Sequence, residues 1–199
     1  QSINVDCFEP DVKIAKQEGV KRFIYASSVA VYGSSETPVN EDAPLAPTTI
    51  YGQGKEACER VLWDYQGSEF TTIATRSASV CGYAPRMRLD LTINRMVHDA
   101  YRKGVITVEG GKQKRSHIHI NDICDFYKLL LTVPKEFVSG HAFNVVTSNN
   151  RIIDSAKEVA EVFNSQYHKY RKLVRIETAP RVDDRSYAVD GSKVRVLGY

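Results

Sequence analysis

Ser27, Ser28, Tyr51 and Lys55 are the residues whose types and spacing could do chemistry. The two serines close an apolar run, RFIYA, from Arg22 to Ala26. Tyr51 follows 23 residues after Ser28, and Lys55 comes four residues after Tyr51. If that segment is helical, Tyr51 and Lys55 share one face about a turn apart. A hydroxyl, a phenol and an ammonium over one small volume can move a proton on or off a carbinol while a hydride moves elsewhere. A free tyrosine has a pKa near 10, so poising it as a base at neutrality takes about 4 kcal/mol. Lys55 supplies one positive charge toward that. Ser28 can donate to, or accept from, the carbinol oxygen and hold it against Tyr51.

The elements that must position these groups follow from the apolar pattern. Arg22 to Ala26 reads as a buried strand. Before it, residues 4–19 read as a helix that starts or bends at Pro10 and stops at Gly19. Helix, glycine, strand is half of a βαβ unit and points to a parallel sheet. Residues 33–50 carry Pro38, Pro44 and Pro47 and read as a loop. A helix from about 49 to 65 follows, with Ala57, Val61 and Leu62 on its apolar face. Thr71 to Val80 reads as a second apolar strand. Gly82 to Arg88 reads as a turn whose Arg86 and Arg88 could reach a substrate but suit a surface role better, and 90–103 as a helix with Asp90 near its start and Gly104 as its stop. Val105–Val108 is a short strand. Arg115–Ile120 is extended, which puts His117 and His119 on one side, in packing or a second-shell hydrogen bond rather than on a metal. Asn121 or Asp122 caps a helix to about Leu131, with Asp122 preferred. Strands at 141–146 and 173–176 and a helix at 152–163 complete an α/β pattern with no internal repeat.

Composition narrows the function. The chain has 199 residues, 42% hydrophobic and 26% charged, with a formal net charge of +3, as expected of one globular domain with or without a small lobe. No basic block with interleaved aromatics offers a nucleic-acid surface. No apolar run reaches the length of a membrane span. The first residues lack the basic-then-apolar order of a secretory leader. Cys7, Cys58, Cys81 and Cys124 form no CxxC pair or metal-ligand spacing. They read as buried free thiols in a reducing, cytoplasmic setting.

In order and spacing, Asn4 with its helix, RFIYASS, the YxxxK helix, RSASVCG, RSHIHINDIC and DDRSYAVDGSK resemble the extended short-chain dehydrogenases/reductases that act on nucleotide sugars. YxxxK alone is weak; the set together carries the resemblance, nearest to 4-epimerases of nucleotide hexoses. It implies a Rossmann-like doubly wound parallel sheet, later strands only, with a small substrate-binding lobe. Residues 1–82 and 115–150 would belong to the NAD-binding part, and 83–114 and 151–199 to the lobe. No glycine-rich pyrophosphate loop follows a strand in this sequence. The expectation is therefore a fragment of a longer product, or a partner chain that supplies the first half.

The resemblance implies NAD as cofactor, with NADP possible, a nucleotide-diphosphate sugar as substrate, and a homodimer. Tyr51, Ser28 and Lys55 would be catalytic. Ala26, Ser27, Tyr51, Lys55 and Ala78 would line the nicotinamide end, although Ser27 at a strand end could equally serve a backbone partner. Ser28, Ser79, Arg115, Arg181 and Arg185 would contact substrate, with the arginines on the diphosphate. Relatives that dehydrate or decarboxylate the sugar carry acidic residues just after the catalytic hydroxyl. Here those positions are Val29 and Ala30, which argues against a 4,6-dehydratase and favours an epimerase or a simple ketoreductase, with C4 epimerisation through a transient 4-keto sugar as the leading reading. A 4-keto-sugar reductase using NADPH is the enzyme alternative. A non-catalytic remnant that binds a nucleotide sugar or a partner is the alternative of another class.

Overall fold

The computed structural model describes residues 5–167, 173–180 and 185–199. Its first helix, α1 (Phe8–Gln17), begins ahead of Pro10. Proline falls in the first turn, where its missing N–H has no partner to lose. Gly19, at φ +76°, ends the helix as expected.

Three parallel strands form the central sheet: β1 (Arg22–Ser28), then β3 (Thr71–Ser77), then β7 (His141–Val145). The middle strand is buried from Thr71 to Arg76. Its alternating side chains serve two layers. Ala74 packs with Val12 of α1 and with Leu62 of α2 (Ile50–Asp64) on one face. Ile73 packs with Phe126 and Leu130 of α4 (Ile120–Thr132) on the other. Helices on both faces of a parallel sheet make the fold α/β and Rossmann-like. Arg22, at the start of β1, donates to the carbonyls of Leu130 and Val133 and so caps the far end of α4.

Several elements differ from the sequence pattern. The run 71–80 is not one strand. It breaks at Ala78, and β4 (Ser79–Cys81) leaves the central sheet to pair with β6 (Lys114–His119). The supposed loop 33–50 contains β2 (Ser35–Val39), which pairs in parallel with β10 (Tyr187–Val189). A further strand, β8 (Ser148–Arg151), pairs antiparallel with β6. The last predicted strand lies slightly later, as β9 (Arg175–Ala179), parallel to β5 (Val105–Glu109). With α3 (Thr92–Lys103) and α5 (Ile152–Tyr167), these two strands enclose a separate apolar cluster that includes Met96, Ile106, Val108 and Ala156. α3 starts at Thr92 with Leu91 in the capping position, so Asp90 lies near its start as expected, paired with Arg88. His119, not Asp122, caps α4: its ring accepts from the Asn121 N–H at 3.2 Å. Cys58 is buried as expected, but Cys7 and Cys124 are exposed. Among the described residues no helix is long and apolar enough to cross a membrane.

Candidate active site

A parallel sheet exposes a crevice beyond the carboxyl ends of its strands. Here β1 ends on the two serines, and the register settles which way each faces. Ser27 stands opposite Arg76, and Ser28 opposite Ser77. Successive side chains alternate, so Ser27 and Arg76 point toward α2 while Ser28 and Ser77 point the other way. A short 3-10 turn, Val29–Tyr32, follows, and Ser28 caps it by accepting from the Ala30 N–H at 3.2 Å. That leaves the serine's own O–H to donate elsewhere.

The helix that carries the phenol is held by its first turn. Thr49 caps it, accepting from the Gly52 N–H at 3.0 Å. Gly52 is pressed against the 3-10 turn: a Cβ there would lie 2.6 Å from the Ala30 carbonyl oxygen and 2.9 Å from Pro47. A side chain cannot enter without lifting the helix. Gly52→Ala should therefore cut activity at least tenfold, as expected for displaced reacting groups. Wild-type kinetics in that variant would show that Tyr51 tolerates the shift.

Tyr51 stands 59% exposed at the lip of the cleft. Lys55 donates to the Ala26 carbonyl at 2.7 Å and lies over the Tyr25 and Tyr51 rings, at 4.9 and 5.7 Å from their centroids. Burial holds its ammonium below the ordinary lysine range.

A cleft of about 700 Å³ brings together Ala26, Ser27, Ser28, Tyr51, Lys55, Ala78, Ser79 and Arg115. Val29 and Ala30 line it as well, and so does Ser77, whose hydroxyl is buried without a partner. Arg115 also lines a second cavity, of about 300 Å³, between α3, β5 and Ile152. Its guanidinium lies over the Tyr187 ring at 5.0 Å and donates to the carbonyls of Lys114 and Arg185. Arg185 lines neither cavity, and its side chain donates to Thr48 at 3.4 Å. Arg181 lies outside the described residues.

Arg88 is exposed, as expected, and its loop also reaches the cleft. Its side chain lines the cleft, forked onto Asp90 at 2.5 and 3.1 Å. Buried Asn94 secures its loop, accepting from the Gly82 N–H and donating to the Arg88 carbonyl. Arg86 remains exposed. His117 is buried with neither ring nitrogen bonded. Among the described residues no group of three His, Cys, Asp or Glu could hold a metal.

The pattern also missed Glu59 and Arg76. Both are buried, and they form an ion pair at 2.7 Å behind the cleft. The Ser27 hydroxyl donates to Glu59, so its partner is a carboxylate and not the backbone. One signal was available: an arginine inside the strand pattern TTIATRSASV has to be paired if both faces of that strand are covered.

The sequence model described as NAD dependent epimerase/dehydratase family matches residues 4–145. A dTDP-D-glucose 4,6-dehydratase of Mus musculus is 27% identical over 195 residues, covering 94% of this chain and 53% of that protein. A UDP-glucose 4-epimerase of Lacticaseibacillus casei is 26% identical over 164 residues, covering 72% of this chain and 50% of that one. The chain thus spans about half the length of these curated relatives. Among solved structures, a UDP-glucuronic acid 4-epimerase from Bacillus cereus, in complex with UDP-glucuronic acid and NAD, superposes with a TM-score of 0.82. It is 21% identical, and the match covers 98% of this chain and 61% of that one.

Proposed function

This chain belongs to the NAD-dependent epimerase/dehydratase family, and from that premise we propose that the protein inverts a nucleotide-diphosphate sugar at C4. One observation carries the choice of reaction. Among the described residues lining the cleft of Ser28, Tyr51 and Lys55, none bears a carboxyl or a thiol. Eliminating water from the sugar requires a group that takes the C5 proton and one that protonates the departing hydroxyl. Val29 and Ala30, beside Ser28, can do neither.

The residues present fit the nicotinamide end of NAD. Ala26 and Ala78 leave room for a flat ring, and the unpartnered Ser77 hydroxyl has unused hydrogen-bonding capacity. When bound, NAD supplies reversible hydride acceptance at the carbinol carbon. Tyr51 takes the proton from the C4 oxygen, with the Lys55 charge favouring the phenolate. Ser28 donates to the same oxygen and keeps it within reach. Tyr51 returns the proton after the 4-keto sugar has presented its opposite face. Arg115, common to both cavities, suits a diphosphate that joins a sugar in the larger to a nucleoside in the smaller. Arg88 adds a second guanidinium near the phenol. Residues 1–82 and 115–150 are read as the cofactor-binding part, and 83–114 and 151–199 as the lobe. The separate apolar cluster of α3, α5, β5 and β9 supports the lobe, whereas β10 packs with the first part. The same reading carries a cytoplasmic homodimer.

The test is product analysis by NMR in D2O, with the full-length protein, NAD, and UDP-glucuronic acid, UDP-glucose or dTDP-glucose. A C4 epimer free of ring deuterium is expected. A 4-keto-6-deoxy sugar, or turnover that consumes NADPH stoichiometrically, would overturn the reading.

A further inference from the structure

Glu59 and Arg76 are charges with no role in the chemistry above. They are 1% and 5% exposed. Arg76 Nε donates to both Glu59 oxygens, at 3.1 and 3.2 Å, and Nη2 donates to Oε2 at 2.7 Å. Oε1 also accepts the Ser27 hydroxyl. On its far side Arg76 donates to the Tyr32 hydroxyl at 2.8 Å, and Tyr32 donates to Asn144 at 2.8 Å. The network joins β1, the 3-10 turn, α2, β3 and β7.

Stability does not account for such a pair. Well-packed apolar residues of similar volume often hold a fold equally well or better. An apolar pair lacks direction, which the planar guanidinium fork and its carboxylate have. The places they join are also telling. Glu59 stands two turns beyond Tyr51 on the same helix, and Ser27 immediately precedes Ser28. The Glu59–Ser27 bond is thus a direct side-chain tie between the element carrying the phenol and the strand end carrying the catalytic hydroxyl.

We propose that Glu59 is a positioning residue: held by Arg76, it grips Ser27 and fixes α2 over the end of β1, which sets the spacing of Tyr51 from Ser28. A misplacement of about 1 Å at reacting groups can cost about 10²-fold in rate. The role rests on the epimerase reading, and wild-type turnover is the control for that reading. A wild type without turnover fails the reading itself, before any variant is compared.

The experiment uses full-length protein with NAD and the nucleotide sugar that the wild type turns over. The double variant Glu59→Leu with Arg76→Met keeps a packed interior and removes the tie. Its kcat should fall about 10²-fold with KM for the sugar within about twofold and an undiminished unfolding midpoint. Wild-type kcat in the folded double variant would overturn the proposal, as would a rise in KM with kcat kept. Should the double variant not fold, Ser27→Ala decides, since it leaves the ion pair whole. There a drop in kcat of about tenfold at constant KM supports the role, and unchanged kcat overturns it.

Discussion

With phenylalanine at position 51, turnover falls about 10²–10⁴-fold, the span that a positioned acid–base group contributes, while the nucleotide sugar still binds. The variant is clean for a structural reason. The Tyr51 hydroxyl makes no hydrogen bond among the described residues, and the side chain is 59% exposed. Phenylalanine keeps the ring face that lies 5.7 Å from the Lys55 ammonium. Only the proton-carrying atom is lost. Steady-state kinetics on the full-length protein and isothermal titration with the nucleotide sugar check the two halves. Wild-type turnover in Tyr51→Phe would remove this residue from the chemistry. Lost binding would mean that the phenol holds substrate rather than moving its proton.

The second large effect is on stability. Burial, and then the Arg115 charge, push the His117 pKa down from 6.5 to about 4. At pH 7 the folded chain leaves this ring neutral and the unfolded chain protonates only about a quarter of it, so the penalty is small. Below about pH 6.5 the unfolded chain takes up a proton that the folded chain refuses until about pH 4. Stability should therefore fall through that window by about 3 kcal/mol from this residue alone. His141 is also lowered, first by burial and then by Lys193, and adds a contribution of the same sign. Urea unfolding at several pH values from 7 to 4, for wild type and His117→Phe, isolates the effect. The variant should lose distinctly less stability on acidification. Equal losses would place the acid sensitivity elsewhere.

The meeting of Ser28, Tyr51 and Lys55 in one cleft was legible in the sequence because local geometry fixes their relation: one ends a strand and two share a helix turn. The parallel sheet was legible for the same reason, since each element shows its own periodicity. Glu59 was hidden by that very rule. A glutamate in an amphipathic helix reads as solvent-facing, and the apolar face was drawn through Ala57, Val61 and Leu62. In the fold the buried stripe is Gly52, Cys58, Glu59 and Leu62, because Arg76 meets the helix from β3. That meeting is tertiary and leaves no local mark. The break at Ala78 was hidden because Thr71–Val80 holds no glycine or proline to mark it, and only pairing with β6 pulls Ser79–Cys81 away. β8 and β10, of four and three residues, are too short for alternation to stand out. Asp122 lost the capping position to His119 because a ring nitrogen can accept from an N–H as a carboxylate does.

The pairing of Ser35–Val39 with Tyr187–Val189 has a consequence for the order of assembly. The segment linking Ser28 to Tyr51 is pinned by a strand made roughly 150 residues later. A ribosome has therefore released Ser28, Tyr51 and Lys55 well before it releases the strand that secures the loop between them. Contacts of such sequence separation form late, because closing the long intervening loop must come first. The cleft of Ser28, Tyr51 and Lys55 should thus be among the last parts of the molecule to mature, and a chain halted before residue 187 would hold these residues without the frame that aims them.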